Sequence, residues 1–444
     1  MDTSYTVPPL RAWGSVFVLV FISMVSYFDR VLMSLMIDPI KADLNITDFQ
    51  ISLLQGLAFG LFYAVFGLPM GWLVDRFPRR FIIYAGVTGW SLAAAFSGFA
   101  RNFWHLLLCR MGIGIGEATL SPAAYSIISD LFPMRRLSLA LGVFGTGGIL
   151  GIAFALSAGG YLVSYTSSIG VIHLPLLGDF KPWQLTFLLA GFPGVLVAFM
   201  VFLIPEPCRR HQQRKDKVPD EDVSSTGNHF LAFLRQNIRY LSCHFLGFSC
   251  ISILAYGMIS WMPVFLMRRY GMDVSSAGAL LGTIGATVGV GGMLFNGWIA
   301  DFFFARGKKD IHLRYFALTV VVGGALGVFG FQFTEELVLF LVCYVAVYFL
   351  QPFTGPAAAH LQIVTPPEYR GRVSALFLLV MNITGQCIGP SIVAAFTDFL
   401  FGDPQMVGSS IALTFAIFSP IGSLLFYLGL KPARQGVDRM QRSN

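Results

Sequence analysis

The sequence predicts an all-α polytopic membrane protein, twelve transmembrane helices in two six-helix pseudo-repeats, and three observations carry that prediction. Of the 444 residues, 55% are hydrophobic and only 12% charged, a balance that a soluble globular protein of this size does not need. Apolar runs near the roughly 20 residues that cross a bilayer core begin near residues 13, 50, 82, 103, 138, 184, 240, 275, 312, 336, 372 and 407. Local features of the first six runs recur in the last six.

The first run carries neither a basic leader nor a small-residue cleavage site and contains two charges, so a retained helix is expected rather than a signal peptide. A net charge of +7 invites a nucleic-acid reading. Instead, Lys and Arg concentrate in alternate connections, the pattern of a positive-inside topology with both termini cytoplasmic in a cell inner membrane. The longest inner connection holds "PCRRHQQRKDK" and then the polar "KDKVPDEDVSSTGNH", a composition for disorder or a short amphipathic link. It divides the chain into a first half (1–205), a linker (206–239) and a second half (240–444).

Cys109, Cys243, Cys250, Cys343 and Cys387 fall in predicted helices and Cys208 in the linker, without metal-ligand spacing, so neither a disulfide framework nor a metal site is expected. No nucleotide loop or nucleophile–base constellation is visible, which argues against an enzyme and against a cofactor.

The repeat is specific. "GWLVDRFPRR" (71–80) and "GWIADFFFARGKK" (297–309) occupy the same place in each half, with Gly71 and Gly297, and Asp75 and Asp301, the same distance apart. "DLFPMRRLSLAL" (130–141) and "TPPEYRGRVSAL" (365–376) form a second pair of basic turns. Duplicated six-helix units are the signature of an alternating-access transporter with its substrate site between the halves.

"GWLVDRFPRR" resembles the loop motif of the major facilitator superfamily, and "GWIADFFFARGKK" its weaker second copy without the Arg after Asp301. "YFDR", "DPIKADLNITDFQISLL", "RMGIGIGEATLSPAAYSIISDLFP" and "YGMISWMPVFLMRRYGM" together resemble bacterial members of the Spinster family over nearly the whole chain. The segment around "GEA" is also similar to organic-anion symporters.

Four charges lie inside predicted helices, each costing about 2.5–3.5 kcal/mol unless it faces a cavity or a partner. Asp29 and Arg30 sit on helix 1, Arg110 and Glu117 on helix 4. Helix 1 runs outward and helix 4 inward, so Asp29 and Arg110 lie about 12 and 10 Å from their outer ends, at matching depth. Glu117 is two turns deeper than Arg110 on the same face. Asp29 is therefore expected to pair Arg110, while Arg30 turns towards Glu117 or a cavity. Ion pairs replaced by apolar residues often leave stability unchanged, so stability alone is a poor reason for these charges. The Spinster resemblance implies that they line a central cavity, with Asp29 and Glu117 in proton coupling and Arg30 and Arg110 in headgroup binding.

Ser121 shares the Glu117 face of helix 4. Tyr27, Tyr125, Thr283, Asn382 and Gln386 are further polar candidates for substrate contact, as is Gln351, each equally able to serve an interhelical hydrogen bond. His360 suggests a pH sensor, though a packing role fits it better. At the inner helix ends, Asp75, Arg76, Arg79 and Asp130 are candidate gating residues. Asp130 ends helix 4 where an acid needs a cation, and the superfamily pattern implies Arg76 or Arg79. Asp301, Glu368, Arg370 and Arg372 are expected to repeat the arrangement.

The expected function is that of a proton-coupled secondary transporter, acting as a monomer, for an amphipathic anion; the resemblance implies a lysophospholipid or sphingoid phosphate. The partners expected are that substrate, protons and membrane lipids, with no nucleic acid. Symport of a small organic acid is the alternative, and multidrug efflux a third.

Overall fold

A computed structural model describes residues 8–175, 178–206, 223–366 and 368–443. Most of these residues lie in twelve helical rods: α1 (Pro9–Leu32), α2 (48–76), α3 (Arg79–Ser97), α4 (103–131), α5 (Met134–Ile169), α6 (Pro182–Leu203), α7 (Ile238–Tyr270), α8 (Val274–Ala305), α9 (Ile311–Phe333), α10 (Leu337–Val364), α11 (Arg370–Phe401) and α12 (Val407–Ser443). Ten spans pass a length-and-hydropathy criterion for crossing a membrane. The two that do not are α3, which opens on Arg79 and Arg80, and α4, which is divided at Ala118–Thr119 into pieces of 15 and 12 residues.

The rods start and bend where local chemistry dictates. Thr47 accepts from the Gln50 amide at 3.2 Å while the Gln50 side chain accepts from the Thr47 amide at 3.0 Å, a reciprocal cap that opens α2. Single π-helical turns interrupt α2 at Leu53–Leu57 and α8 at Gly285–Gly289, the corresponding rods of the two halves. In α10 the helix stops at Leu350 and restarts at Thr354. There the buried Asn296 of α8 donates to the carbonyls of Phe349, Leu350 and Pro352 and accepts from Tyr315, which supplies partners at a broken helix end.

The chain packs as two units. One comprises Met1–Pro219 with Leu266–Ala286, the other Asp220–Phe265 with Thr287–Asn444. The packing boundary thus falls inside α7 and α8 as well as within the linker. Charge and close contact both account for this. Arg268, at the end of α7, donates to Asp38 at 2.6 Å and to Asp48 at 3.1 Å, and Lys41 also bonds Asp48, whose side chain is fully buried. Gly278 of α8 lies so near α5 that a Cβ there would stand 2.2 Å from the Leu156 carbonyl. Small residues at such crossings bring backbones together where lipid supplies no hydrophobic drive.

The first unit's core runs through Val16, Leu19, Val87, Trp90, Ile113 and Ile127. The second is aromatic, with Phe248 stacked or edge-on to Phe316, Phe353 and Phe426. Of the linker, residues 207–222 lie outside the described residues, and Val223–Gln236 forms a helix ahead of α7.

Candidate functional site

The site begins with the glycines of "GIGIGE". A Cβ on Gly114 would meet the Phe59 carbonyl of α2 at 2.5 Å, and one on Gly116 would meet the Gly86 carbonyl of α3 at 2.9 Å. Their absence of side chains lets α4 approach both rods and sets Glu117 against α1.

There, Arg30 donates through Nε to Glu117 Oε2 at 2.6 Å, and its NH2 reaches the same oxygen. Ser26, one turn earlier on α1, donates to that oxygen at 2.5 Å. The Arg30 guanidinium lies over the rings of Tyr27, Phe59 and Tyr63 at 4.7, 4.5 and 5.1 Å, an aromatic cage that stabilises a desolvated cation. Tyr63 in turn shares a 3.4 Å hydrogen bond with Ser121.

Arg110 departs from expectation. It makes no ion pair with Asp29; its NH1 donates instead to the main-chain carbonyl of Asp29 at 3.1 Å. Arg110 is 2% exposed, and its Nε and NH2 have no hydrogen-bond partner among the described residues. Glu117 Oε1 is likewise unpartnered. Two buried guanidinium nitrogens without an acceptor form a costly arrangement.

Asp29, Arg30, Arg110, Glu117, Tyr27 and Ser121 therefore meet in the first unit. Tyr125, half exposed, packs edge-on to Phe144. Thr283 bonds the Ala279 carbonyl of its own helix. In the second unit Gln386, within the π-helical turn Ile383–Ile388, donates to Asn382 at 2.8 Å.

At the helix ends, Arg79 and not Arg76 answers Asp130. Arg79 is 1% exposed, donates to Asp130 at 2.5 Å and to Glu206 at 3.0 Å, and also reaches Ser126. Glu206 accepts the amides of Arg79 and Arg80 at 3.2 and 3.1 Å, so it caps the start of α3 where unpaired N–H groups favour an anion. Burial alone would raise the Glu206 pKa, but the hydrogen bonds from Arg80 and Arg79 outweigh it and hold the carboxyl below its ordinary range. Asp75 and Arg76 are exposed, with Arg76 stacked on Trp72 at 4.0 Å.

The expected repeat in the second unit is not reproduced. Asp301 and Glu368 are exposed, Arg370 donates to the Thr365 carbonyl and Arg372 lies over Phe230. The acid that gathers cations there is Asp310, which receives Arg434 at 2.8 Å and Arg314 at 3.0 Å. Burial would raise its pKa, but bonds from Arg434 and Arg314 hold it low. Ala305 stands where the repeat would place a counterpart of Arg79, so the second turn lacks the cation that pairs Asp130 in the first. Glu206, Ser26 and Asp310 escaped the sequence; the one available signal was an acid placed directly after the last apolar residue of a run, as in Glu206.

Residues 19–390 match the family model described as Major Facilitator Superfamily. An MFS-type efflux pump of Mycolicibacterium smegmatis is 27% identical over 97% of this chain and 95% of its own. A probable L-galactonate transporter of Escherichia coli is 27% identical over 67% of this chain and 63% of its own. Human protein spinster homolog 1 is 30% identical over 59% of this chain, and that match spans 47% of its length. The crystal structure of a bacterial homologue of the human lysosomal transporter Spinster superposes with a TM-score of 0.77 at 23% identity, covering 99% of each chain. The chain belongs to the Major Facilitator Superfamily and is Spinster-like in sequence and fold.

Proposed function

We propose that this secondary transporter moves an amphipathic anion, a lysophospholipid or sphingoid phosphate, in exchange with or alongside protons. The observation that carries the proposal is Arg110, a buried guanidinium with two unpartnered N–H groups beside the Arg30–Glu117 pair. A phosphate or carboxylate accepts from an Arg fork in bidentate fashion, and Arg keeps its charge throughout the cycle. An anion that draws Arg30 away leaves Glu117 without its cation, and a desolvated carboxylate without a cation takes up a proton. One arginine thereby links substrate to proton. Asp29, buried and outside any ion pair among the described residues, is the second proton carrier in this scheme, and Arg79 with Asp130 forms a tie that opens and closes at the helix ends.

A second reading, transport of a small organic acid, is favoured by the L-galactonate transporter among the relatives. Both readings need the same anion-binding chemistry and differ in the apolar tail. A thermal-shift screen of lysophospholipids, sphingoid phosphates and sugar acids, repeated on Arg110→Ala and Arg30→Ala, separates them. The lipid reading expects stabilisation by phosphate-bearing lipids that disappears in both variants; stabilisation by sugar acids alone overturns it.

A further inference from the structure

The two copies of the repeat share one feature that their ion pairs do not. In the first unit Arg76 lies over the exposed ring of Trp72 at 4.0 Å. Trp298 holds the matching place in the second unit, and Phe302 stands where Arg76 would. There the cation has moved one turn further along α8. Trp298 stacks on Phe302 with ring centroids 5.3 Å apart, and the Arg306 guanidinium lies over Phe302 at 3.9 Å. Phe295, one turn earlier, packs on Trp298 with centroids 6.1 Å apart. These four residues form a continuous ladder on one face of α8.

The end of α8 sets two cations at the foot of that ladder. Gly307 has φ 85°, the left-handed backbone that glycine adopts at low cost. Its amide bonds the Phe304 carbonyl at 2.9 Å, and the Lys308 amide bonds the Phe303 carbonyl at 3.2 Å, the paired bonds of a Schellman turn. The chain doubles back, so Lys308 lies over Phe303 at 4.8 Å, and Phe303 packs edge-on to Phe302. Arg306 and Lys308 are exposed and make no ion pair among the described residues, whereas Lys309 is taken by Asp438. The exposed acid Asp301 sits beside the ladder, about 60° round the helix from Trp298, and leaves a net positive charge. A guanidinium stacked by its face keeps its N–H edge free for a phosphate.

The surroundings of α8 decide what meets the ladder. This helix is long and apolar enough to cross a membrane, and Trp298 on it is 58% exposed. Bare rings on a spanning helix meet acyl chains, and a Trp followed by cations sits at the headgroup level. Phe295 to Arg306 covers about 16 Å along the helix, roughly one leaflet of a ~30 Å hydrocarbon core. An apolar strip of that length with a cationic end matches one molecule, a phospholipid with a negative headgroup.

We propose that the end of α8 is a docking site for an anionic phospholipid of the adjoining leaflet. Arg306 and Lys308 hold its phosphate, and an acyl chain lies along Phe302, Trp298 and Phe295. The site belongs to the second unit and does not depend on what the first unit's Arg110 binds.

Native mass spectrometry of the full chain in detergent, titrated with dioleoyl phosphatidylglycerol or dioleoyl phosphatidylcholine, tests the proposal. Phosphatidylglycerol should bind at least about tenfold more tightly, as two cations near a charged headgroup supply. Arg306→Ala with Lys308→Ala should abolish that preference, and Arg110→Ala should retain it. Should the alanine pair fail to fold, Arg306→Gln with Lys308→Gln makes the same test. Trp298→Ala should weaken the dioleoyl lipid but not dihexanoyl phosphatidylglycerol, whose chains are too short to reach Trp298. Equal affinity for the two headgroups, or a preference that survives loss of both cations, would overturn the proposal. So would a preference lost in Arg110→Ala, which assigns the lipid to the first unit instead.

Discussion

Arg30 and Glu117, 87 residues apart, share a 2.6 Å hydrogen bond inside a cage of Tyr27, Phe59 and Tyr63. Both partners therefore depend on each other: the cage accommodates a cation, and the cation keeps a buried carboxylate charged. Ser26 adds a donor to the same oxygen, so Glu117 presents one satisfied and one open oxygen.

Glu117→Gln keeps the shape of this side chain and removes its proton-accepting oxygen. In proteoliposomes, uptake driven by a pH gradient should fall at least about tenfold, equivalent to about 1.4 kcal/mol, while counterflow without a gradient persists. Undiminished response to the gradient would remove Glu117 from the coupling scheme.

Asp130 and Asp75 are both acids at the ends of helices in the first unit, yet their surroundings differ. The Asp130 side chain is 8% exposed and bonded to the buried Arg79, whereas Asp75 is exposed. Asp130→Asn should lower unfolding stability by about 3 kcal/mol, the low end for breaking a buried pair because Glu206 still holds Arg79. Asp75→Asn should change it by no more than about 0.5 kcal/mol. Thermal unfolding in one detergent compares them directly, and a flux defect in Asp75→Asn at unchanged stability would mark a role in transport rather than in folding.

Much of this architecture was legible because charges are rare in apolar runs. Asp29, Arg30, Arg110 and Glu117 stood out for that reason, and depth counting on antiparallel helices brought α1 and α4 together. The Thr47–Gln50 cap and the repeated turns are local patterns and equally readable. Glu206 was not, since its partners lie 126 and 127 residues away and an acid after a proline has many possible uses. Nor could the sequence show that Arg110 would bond the main-chain carbonyl of Asp29 rather than its carboxylate.

Glu206 also makes a pH prediction. Its folded pKa lies below the unfolded value, so its contribution is complete above about pH 4.3, the ordinary glutamate value, and is lost as pH falls through the folded pKa. Glu206→Gln should be less stable than the wild type at neutral pH by about 1–2 kcal/mol, the scale of a lost helix cap. The two should converge as the medium is acidified below pH ~4. Parallel melting curves at all pH values would show that the carboxylate's charge contributes nothing.

Gly114 tests the packing that positions the site. An added Cβ would meet backbone, the Phe59 carbonyl at 2.5 Å and the Tyr63 amide at 3.2 Å, so relief requires α2 and α4 to separate. Phe59 and Tyr63 also line the Arg30 cage, so that separation reaches the site itself. Gly114→Ala should cost about 1–3 kcal/mol, as overpacking does, and should weaken any anion-dependent thermal shift. Gly89→Ala on α3 has nothing within 4 Å of the new Cβ and should be neutral or stabilising by up to about 1 kcal/mol, the gain of Ala over Gly within a helix. Equal melting temperatures for the two variants would mean that the α2–α4 contact yields without cost, and that Glu117 is held by its hydrogen bonds alone.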